Sequence, residues 1–258
     1  MTASQGALTI AVANQKGGVG KTTSAVNVAS ALGIAGKRTL LVDFDPQGNA
    51  SSGVGILKSQ TNQTIYDVLI GRAQIKDTII KTEYKNLDVI SSGLDLAAAE
   101  LELAELENRQ NRLREPLSEI KENYDYIVID CPPSLGMLTV NALTAADGVV
   151  IPMQCEYFAL EGLSQMLMTV KQIKKLYNPT LSLTGILITM YNGRLNLSIQ
   201  VLEELKKHYA DKLFSINVTR SVRLGEAPSY GAPIQYYDKH NKGAKEYQKI
   251  TKEIMERI

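Results

Sequence analysis

A lysine-bearing glycine turn, set between an apolar run and a helix-prone segment, constrains this chain more than any other stretch. Asn14-Gln15-Lys16-Gly17-Gly18-Val19-Gly20-Lys21-Thr22-Thr23 follows the apolar run Ala7-Leu8-Thr9-Ile10-Ala11-Val12-Ala13. It precedes Ser24-Ala25-Val26-Asn27-Val28-Ala29-Ser30-Ala31-Leu32, which has helical character. Strand, glycine turn, Lys-Thr and helix in that order is the arrangement that cradles nucleotide phosphates. Glycines at 17, 18 and 20 let backbone N–H groups turn inward without Cβ clashes and form an anion nest. Lys21 would reach the β- and γ-phosphates, and the Thr22 hydroxyl would ligate Mg²⁺. One position departs from the usual P-loop: Gln15 stands where the loop normally opens with glycine, and a second lysine, Lys16, sits at its front. A plain solvated turn is the bland alternative, and the flanking strand and helix argue against it.

The remaining bulk features narrow the class. A chain of 258 residues suffices for one large α/β domain, and no Pro/Ser-rich linker or charge block divides it. With 44% hydrophobic and 21% charged residues, the composition is that of an ordinary soluble globular protein. Residues 1–6 carry no basic segment or apolar core of a signal peptide, and no apolar run approaches the roughly 18 residues that span a bilayer. Cys131 and Cys155 follow apolar runs and read as buried thiols. His208 and His240 lie far from them, so no zinc spacing exists. A cytoplasmic location is expected. Residues 189–258 hold 12 Lys+Arg against 8 Asp+Glu, so the net charge of +1 divides into +4 there and −3 before it. That permits a basic patch near the C-terminus.

Two further stretches point at the same chemistry. Thr39-Leu40-Leu41-Val42-Asp43-Phe44-Asp45-Pro46 reads as a strand ending in two acids, and ligands of doubly wound sheets sit beyond the carboxyl ends of strands. Asp-Pro turns and caps are the structural alternative for these acids. Tyr126-Ile127-Val128-Ile129-Asp130 reads as a buried parallel strand with an acid at its end, the Walker B arrangement that holds Mg²⁺ directly or through water. Other strands are expected over 87–90, 148–152 and 183–189. Helices are expected around 65–69 and over 138–146, 158–177, 197–209 and 241–258. Residues 95–121 read as an amphipathic helix broken near Pro116, and residues 219–231 as a loop. Met166 and Met168 read as packing residues. Tyr247, Ile250, Ile254 and Ile258 form one apolar stripe opposite Lys and Glu.

The loop of residues 16–22, Asp43-Phe44-Asp45-Pro46-Gln47 and Ile129-Asp130-Cys131-Pro132-Pro133 together resemble the deviant Walker A ATPases, and within them the ParA/Soj partition proteins. Gln154-Cys155-Glu156-Tyr157-Phe158-Ala159-Leu160-Glu161-Gly162 and Val222-Arg223-Leu224-Gly225-Glu226-Ala227-Pro228-Ser229-Tyr230-Gly231 extend the resemblance over nearly the whole chain. It implies a doubly wound, mostly parallel α/β sheet in a single domain, 1–258, with no room for an N-terminal helix-turn-helix domain.

It also implies an ATPase that uses Mg²⁺, dimerises around two trapped nucleotides and binds double-stranded DNA without sequence preference. A ParB-type partner would stimulate its weak intrinsic hydrolysis, and the protein would be nucleoid-associated. By that resemblance Lys16 contacts the partner subunit's nucleotide, while Lys21 binds phosphates in its own subunit. Gly17, Gly18, Val19, Gly20, Thr22, Thr23, Met190 and Asn192 complete the nucleotide site. Thr22, Asp45 and Asp130 serve Mg²⁺, with Asp45 orienting the attacking water. Arg220, Arg223, Lys242 and Lys245 are the DNA candidates; local ion pairs or a solvated helix face are their structural alternatives. Thr219 stands where relatives commonly carry proline near the adenine.

A MinD-like membrane switch on the same core is the main rival. It would need a terminal helix with bulky apolar residues opposite a strongly basic face. Glu246, Glu253 and Glu256 interrupt that face here. A small-molecule kinase or a nitrogenase-type reductase is a further alternative. The reductase would need paired cysteines for a cluster between subunits, which the two present do not suggest.

Overall fold

The computed structural model describes residues 6–57 and 61–258. The reading of the extreme N-terminus as free of a leader therefore rests largely on residues outside the described ones. Among the described residues, seven strands form one sheet: β1 Leu8–Val12, β2 Thr39–Asp43, β3 Ile79–Lys81, β4 Leu87–Ile90, β5 Tyr126–Asp130, β6 Gly148–Met153 and β7 Ser182–Ile188. Their order is β3-β4-β2-β5-β1-β6-β7. Every neighbouring pair is parallel except β3 with β4. This is the doubly wound sheet that the alternation of apolar runs and helical segments implies.

The helices are α1 Lys21–Ile34, α2 Asn49–Gly53, α3 Ile65–Leu69, α4 Leu96–Glu102, α5 Arg114–Ser118, α6 Met137–Ala145, α7 Ala159–Leu176, α8 Asn196–Tyr209, α9 Val222–Glu226, α10 Ile234–Tyr237 and α11 Lys242–Arg257. They cover both faces of the sheet, which is why β2 and β5 are buried along their whole length and lack a polar alternation. Successive residues supply opposite cores. Leu40, Val42, Ile127, Ile129, Val149 and Ile151 pack with Leu143 of α6 and Leu163 of α7. Ile10, Val12, Leu41, Val128 and Val150 pack on the other face with Val28 and Leu32 of α1 and Ile250 and Ile254 of α11.

β1 lies between β5 and β6, with β2 to β4 built out on one side and β6 and β7 on the other. The crevice beyond its carboxyl end is where such sheets bind ligands. Parallel registry brings three strand ends together there: Val12 pairs with Asp130, and Asp43 pairs with Asp130.

Several expectations need correction. Strand β3 escaped notice because three residues, Ile79-Ile80-Lys81, give too short a run for a period to show. Residues 95–121 are not one amphipathic helix. They form α4, single 3-10 turns at Leu103–Glu105 and Arg109–Asn111, and α5. Leu96, Leu103 and Leu113 are fully buried, whereas Leu101 is 78% exposed, so one continuous apolar stripe does not exist. Met166 packs in the core as expected, but Met168 is 59% exposed. Leu176, near the end of α7, also faces solvent. The expected loop at 219–231 contains α9 and a 3-10 turn over Ala227–Tyr230. Both cysteines are free and buried, as expected.

Tyr247, Ile250 and Ile254 are buried, so α11 is docked on α1 and the sheet. Ile254→Ala should therefore lower unfolding stability by about 2–5 kcal/mol, read as the urea midpoint at constant slope. An unchanged midpoint would indicate an undocked terminal helix.

Candidate functional site

The glycine turn ends where α1 begins, and its shape depends on backbone that only glycine adopts freely. Gly18 has φ 72° and Gly20, the residue before α1, has φ 83°. Both lie in the left-handed region, where a Cβ is unfavourable. No side chain caps α1. Its first N–H groups therefore point out of the helix without intrahelical partners, at the positive end of the helix dipole. The Thr189 hydroxyl donates to Val19 O at 2.8 Å, and Gln154 Nε2 donates to Gly18 O at 2.7 Å. Asn14 Oδ1 accepts from Lys16 N at 3.0 Å. The nest is thus held from the ends of β6 and β7 as well as from its own sequence.

Lys21 is 6% exposed, and its ammonium donates to Lys16 O at 2.8 Å. Burial pulls its pKa below the ordinary lysine value, opposed by Asp130 first and by Asp45 further down. Lys16 behaves differently. Its side chain is 42% exposed and forms an ion pair with Glu156, while the neighbouring Gln15 meets Gln165. The two lysines of one loop therefore face different surroundings, one inward and one outward.

Beneath the loop lie three carboxylates. Asp43 is fully buried and accepts from Ser51 N and Ser51 Oγ, each at 2.7 Å, which fastens α2 to the end of β2. Burial nevertheless pushes its carboxyl up to about 6. Asp45 is 8% exposed, and its Oδ1 accepts from Gln47 N at 2.9 Å. Asp130 is completely buried, and neither carboxylate oxygen has a partner at full hydrogen-bond geometry among the described residues, although the Thr22 hydroxyl and then Lys21 lie close enough to favour its ionised form. Burial, with the adjacent Asp43 carboxylate, pushes it well above the usual carboxylate range.

A buried carboxylate without a full hydrogen bond is expensive in a closed fold and suits a site completed by a cation. Thr22 stands in the first turn of α1 beside it. Among the described residues no group of three or more His, Cys, Asp or Glu side chains could hold a metal alone. Two carboxylates and a hydroxyl match Mg²⁺ instead, an ion that keeps waters and shares phosphate oxygens.

A cavity of about 700 Å³ opens from the start of α1, lined by Gly20, Thr23, Met190, Thr219, Arg220 and Tyr247 among others. Met190 has φ 50°, an uncommon conformation for its type, and is 38% exposed at the cavity mouth. Asn192 is exposed and accepts from Arg194 N, outside the cavity lining.

The four DNA candidates split between surfaces. Arg220 borders this cavity. Arg223 on α9 pairs with Glu226 at 3.2 Å and stacks over Tyr237 at 5.8 Å. Lys242 lies 3.6 Å from Glu246 Oε1, and Lys245 is exposed one turn on.

Sequence reasoning missed Thr189, Gln154, Ser24, whose hydroxyl meets that of Tyr247 at 3.0 Å, and Glu246. The first two are polar residues ending or following buried strands at the carboxyl edge, a usable signal. Glu246 reads as one charge of a solvated face, yet it is 7% exposed and bonded to Thr219 N and Oγ1 at 3.0 and 2.7 Å. Proline at 219 would lack the N–H that makes the first of these bonds.

Asp130→Asn should raise the thermal midpoint of the nucleotide-free protein at pH 8. Because the folded carboxyl has a raised pKa, its stability is complete at acid pH and is lost as pH climbs through the folded value. The margin of the asparagine variant should therefore shrink as pH falls toward 5. An equal margin at both pH values would remove the burial argument.

The comparisons with known proteins agree with this geometry. Residues 7–183 match the AAA domain family. The chain is 54% identical over 245 residues to the sporulation initiation inhibitor protein Soj of Bacillus subtilis, covering 95% of this chain and 97% of that one. It is 48% identical to the chromosome partitioning protein ParA of Caulobacter vibrioides, over 96% of this chain and 94% of that one. Among solved structures, cobyrinic acid a,c-diamide synthase from Mycobacterium smegmatis, with bound ATP analogue and magnesium, superimposes with a TM-score of 0.83. It shares 33% identity over 95% of this chain and 93% of that one. The chain belongs to the ParA/Soj family of chromosome-partitioning ATPases.

Proposed function

We propose that this chain is one ATPase domain acting as a DNA-partition switch. Mg²⁺ and ATP drive two copies together, the dimer holds double-stranded DNA without sequence preference, and hydrolysis stimulated by a ParB-type partner ends the grip. The observation that carries this reading is the buried Asp130 carboxylate, without a full hydrogen bond, beneath the open start of α1. Relatives named as chromosome-partitioning proteins, and a related structure with bound ATP analogue and magnesium, support it.

The residue roles follow from their surroundings. The N–H groups of Gly18 to Thr23 face an anion at the helix start, and Lys21 trades Lys16 O for phosphate oxygens. Thr22 and Asp130, with Asp45 nearby, are the groups that would hold Mg²⁺, which neutralises charge on the phosphates. Asp45, with one oxygen fixed by Gln47 N, can orient a water for in-line attack. Lys16, outward and half-exposed, can reach a nucleotide held by a second copy and supply charge in trans, as arginine fingers do. Met190 would flank the base at the cavity mouth, and Asn192 would reach it only from outside that lining. Arg220, Arg223, Lys242 and Lys245 would contact DNA phosphates, a role that also places the protein on the nucleoid within the cytoplasm.

A membrane switch is disfavoured because the apolar stripe of α11 is spent on the core. Among the described residues no helix is long and apolar enough to cross a membrane.

Lys16→Ala should bind ATP with near-normal affinity yet stay monomeric in light scattering with Mg-ATP. An ATP-dependent dimer in that variant would refute the trans role. Arg223→Glu should weaken DNA retention and reduce the slope of log affinity against log salt by about one. Unchanged retention would move the DNA surface elsewhere.

A further inference from the structure

Three carbonyls of the glycine turn are held by side chains. Lys16 O accepts from Lys21 Nζ at 2.8 Å, Gly18 O from Gln154 Nε2 at 2.7 Å, and Val19 O from the Thr189 hydroxyl at 2.8 Å. The last two donors come from outside the turn: Gln154 is the residue after β6, and Thr189 is the residue after β7. In a trans peptide the C=O of one residue and the N–H of the next point in opposite directions. A donor that draws Gly18 O to one side therefore turns Val19 N–H to the other, and Val19 O and Gly20 N–H are related in the same way. Among the described residues neither of these N–H groups meets an acceptor. Both supports are themselves anchored. Thr189 is 2% exposed, its own N–H donates to Met153 O at 2.8 Å, and its methyl carbon lies 3.5 Å from the place a Cβ on Gly20 would take. Gln154 is half-buried, and its Nε2 also meets Met190 Sδ at 3.1 Å, so it spans the turn and the cavity mouth.

We propose that Gln154 and Thr189 are positioning residues that aim the N–H groups of Val19 and Gly20 at the phosphates of the nucleotide. The inference rests on the nucleotide reading of the turn, and it assigns the direction of two of its donors to residues outside it. Glycine takes either sign of φ, so the peptide links beside Gly18 and Gly20, now at φ 72° and 83°, have other orientations within reach. A flipped link would present a carbonyl oxygen to the phosphates in place of an N–H. A side-chain donor on Gly18 O and another on Val19 O oppose that flip, because each flip would break a hydrogen bond. The two N–H groups are then set before the ligand arrives, and less ordering is left for binding to supply. Lys21 does the same for Lys16 O from within the turn, but its ammonium leaves that carbonyl when it takes up phosphate oxygens. Gln154 and Thr189 are uncharged and keep their carbonyls throughout.

The test titrates fluorescently labelled ADP with Mg²⁺ into the full chain and then displaces it with inorganic pyrophosphate, which carries the phosphates without the base. Thr189→Val keeps the shape of the side chain and loses the hydroxyl, whereas Thr189→Ser keeps the hydroxyl. Gln154→Met keeps the length and loses the donor. Thr189→Val and Gln154→Met should each weaken ADP binding by about threefold to tenfold, the usual worth of one neutral hydrogen bond, and weaken pyrophosphate by a similar factor. Thr189→Ser should bind ADP within about twofold of wild type. Wild-type ADP affinity in either Thr189→Val or Gln154→Met overturns the inference, and so does a serine variant no better than the valine one, which would mark a purely packing role. A loss for ADP that pyrophosphate does not share would place Gln154 at the base through Met190 and overturn its phosphate role. A wild type that binds no ADP overturns the nucleotide reading beneath the inference instead.

Discussion

The burial of paired carboxylates at the ends of β2 and β5 is the constraint on which the rest of this site depends. Parallel registry sets Asp43 opposite Asp130. Both side chains are removed from water, burial raises the pKa of each, and the Asp43 carboxylate raises that of Asp130 further. The fold treats them differently. Asp43 is satisfied internally by Ser51 and so fastens α2 behind the Asp45 turn. Asp130 has no donor at full hydrogen-bond geometry among the described residues, with only the Thr22 hydroxyl standing close by. One acid thus holds the frame, and the other keeps coordination capacity for a cation. Such unsatisfied groups persist where function requires them and the surrounding core can sustain the loss.

The glycine turn is shaped around this pair. Two of its glycines, Gly18 and Gly20, are left-handed, and the buried Lys21 sets positive charge near Asp130 and Asp45. Lys16 leaves the pocket because the turn carries it outward to Glu156. A loop with one inward and one outward lysine suits a ligand contacted from two directions. α9 and α11 also border the cavity beside α1, so that cavity and a groove carrying Lys242, Lys245 and Lys249 share Thr219 as a wall.

Much of this arrangement is legible in the chain. Buried parallel strands announce themselves as unbroken β-branched runs, and an acid at the end of such a run marks the carboxyl edge, as at Asp43 and Asp130. The periodic stripe of α11 fixes which side docks, because Tyr247, Ile250 and Ile254 return every three or four residues. What stays hidden are contacts between segments distant in sequence. Glu246 has the spacing of a surface charge, and only the approach of Thr219 from the edge of β7 buries it. The hydroxyl of Thr189 likewise gains its role from the proximity of Val19 O across the crevice. Residues 95–121 misled because leucine and alanine favour helix locally, while packing against α6 required separate short pieces. Local propensity lost there to tertiary contact.

Sharing of the nucleotide between two copies of the chain is tested most directly by the mass of the Asp45→Ala protein. Removing the carboxylate proposed to orient water should leave binding intact and slow turnover. Light scattering coupled to size exclusion should then show a persistent dimer with Mg-ATP, a monomer with ADP, and co-elution of the dimer with DNA. A protein that binds Mg-ATP yet remains monomeric at every concentration would contradict the shared site.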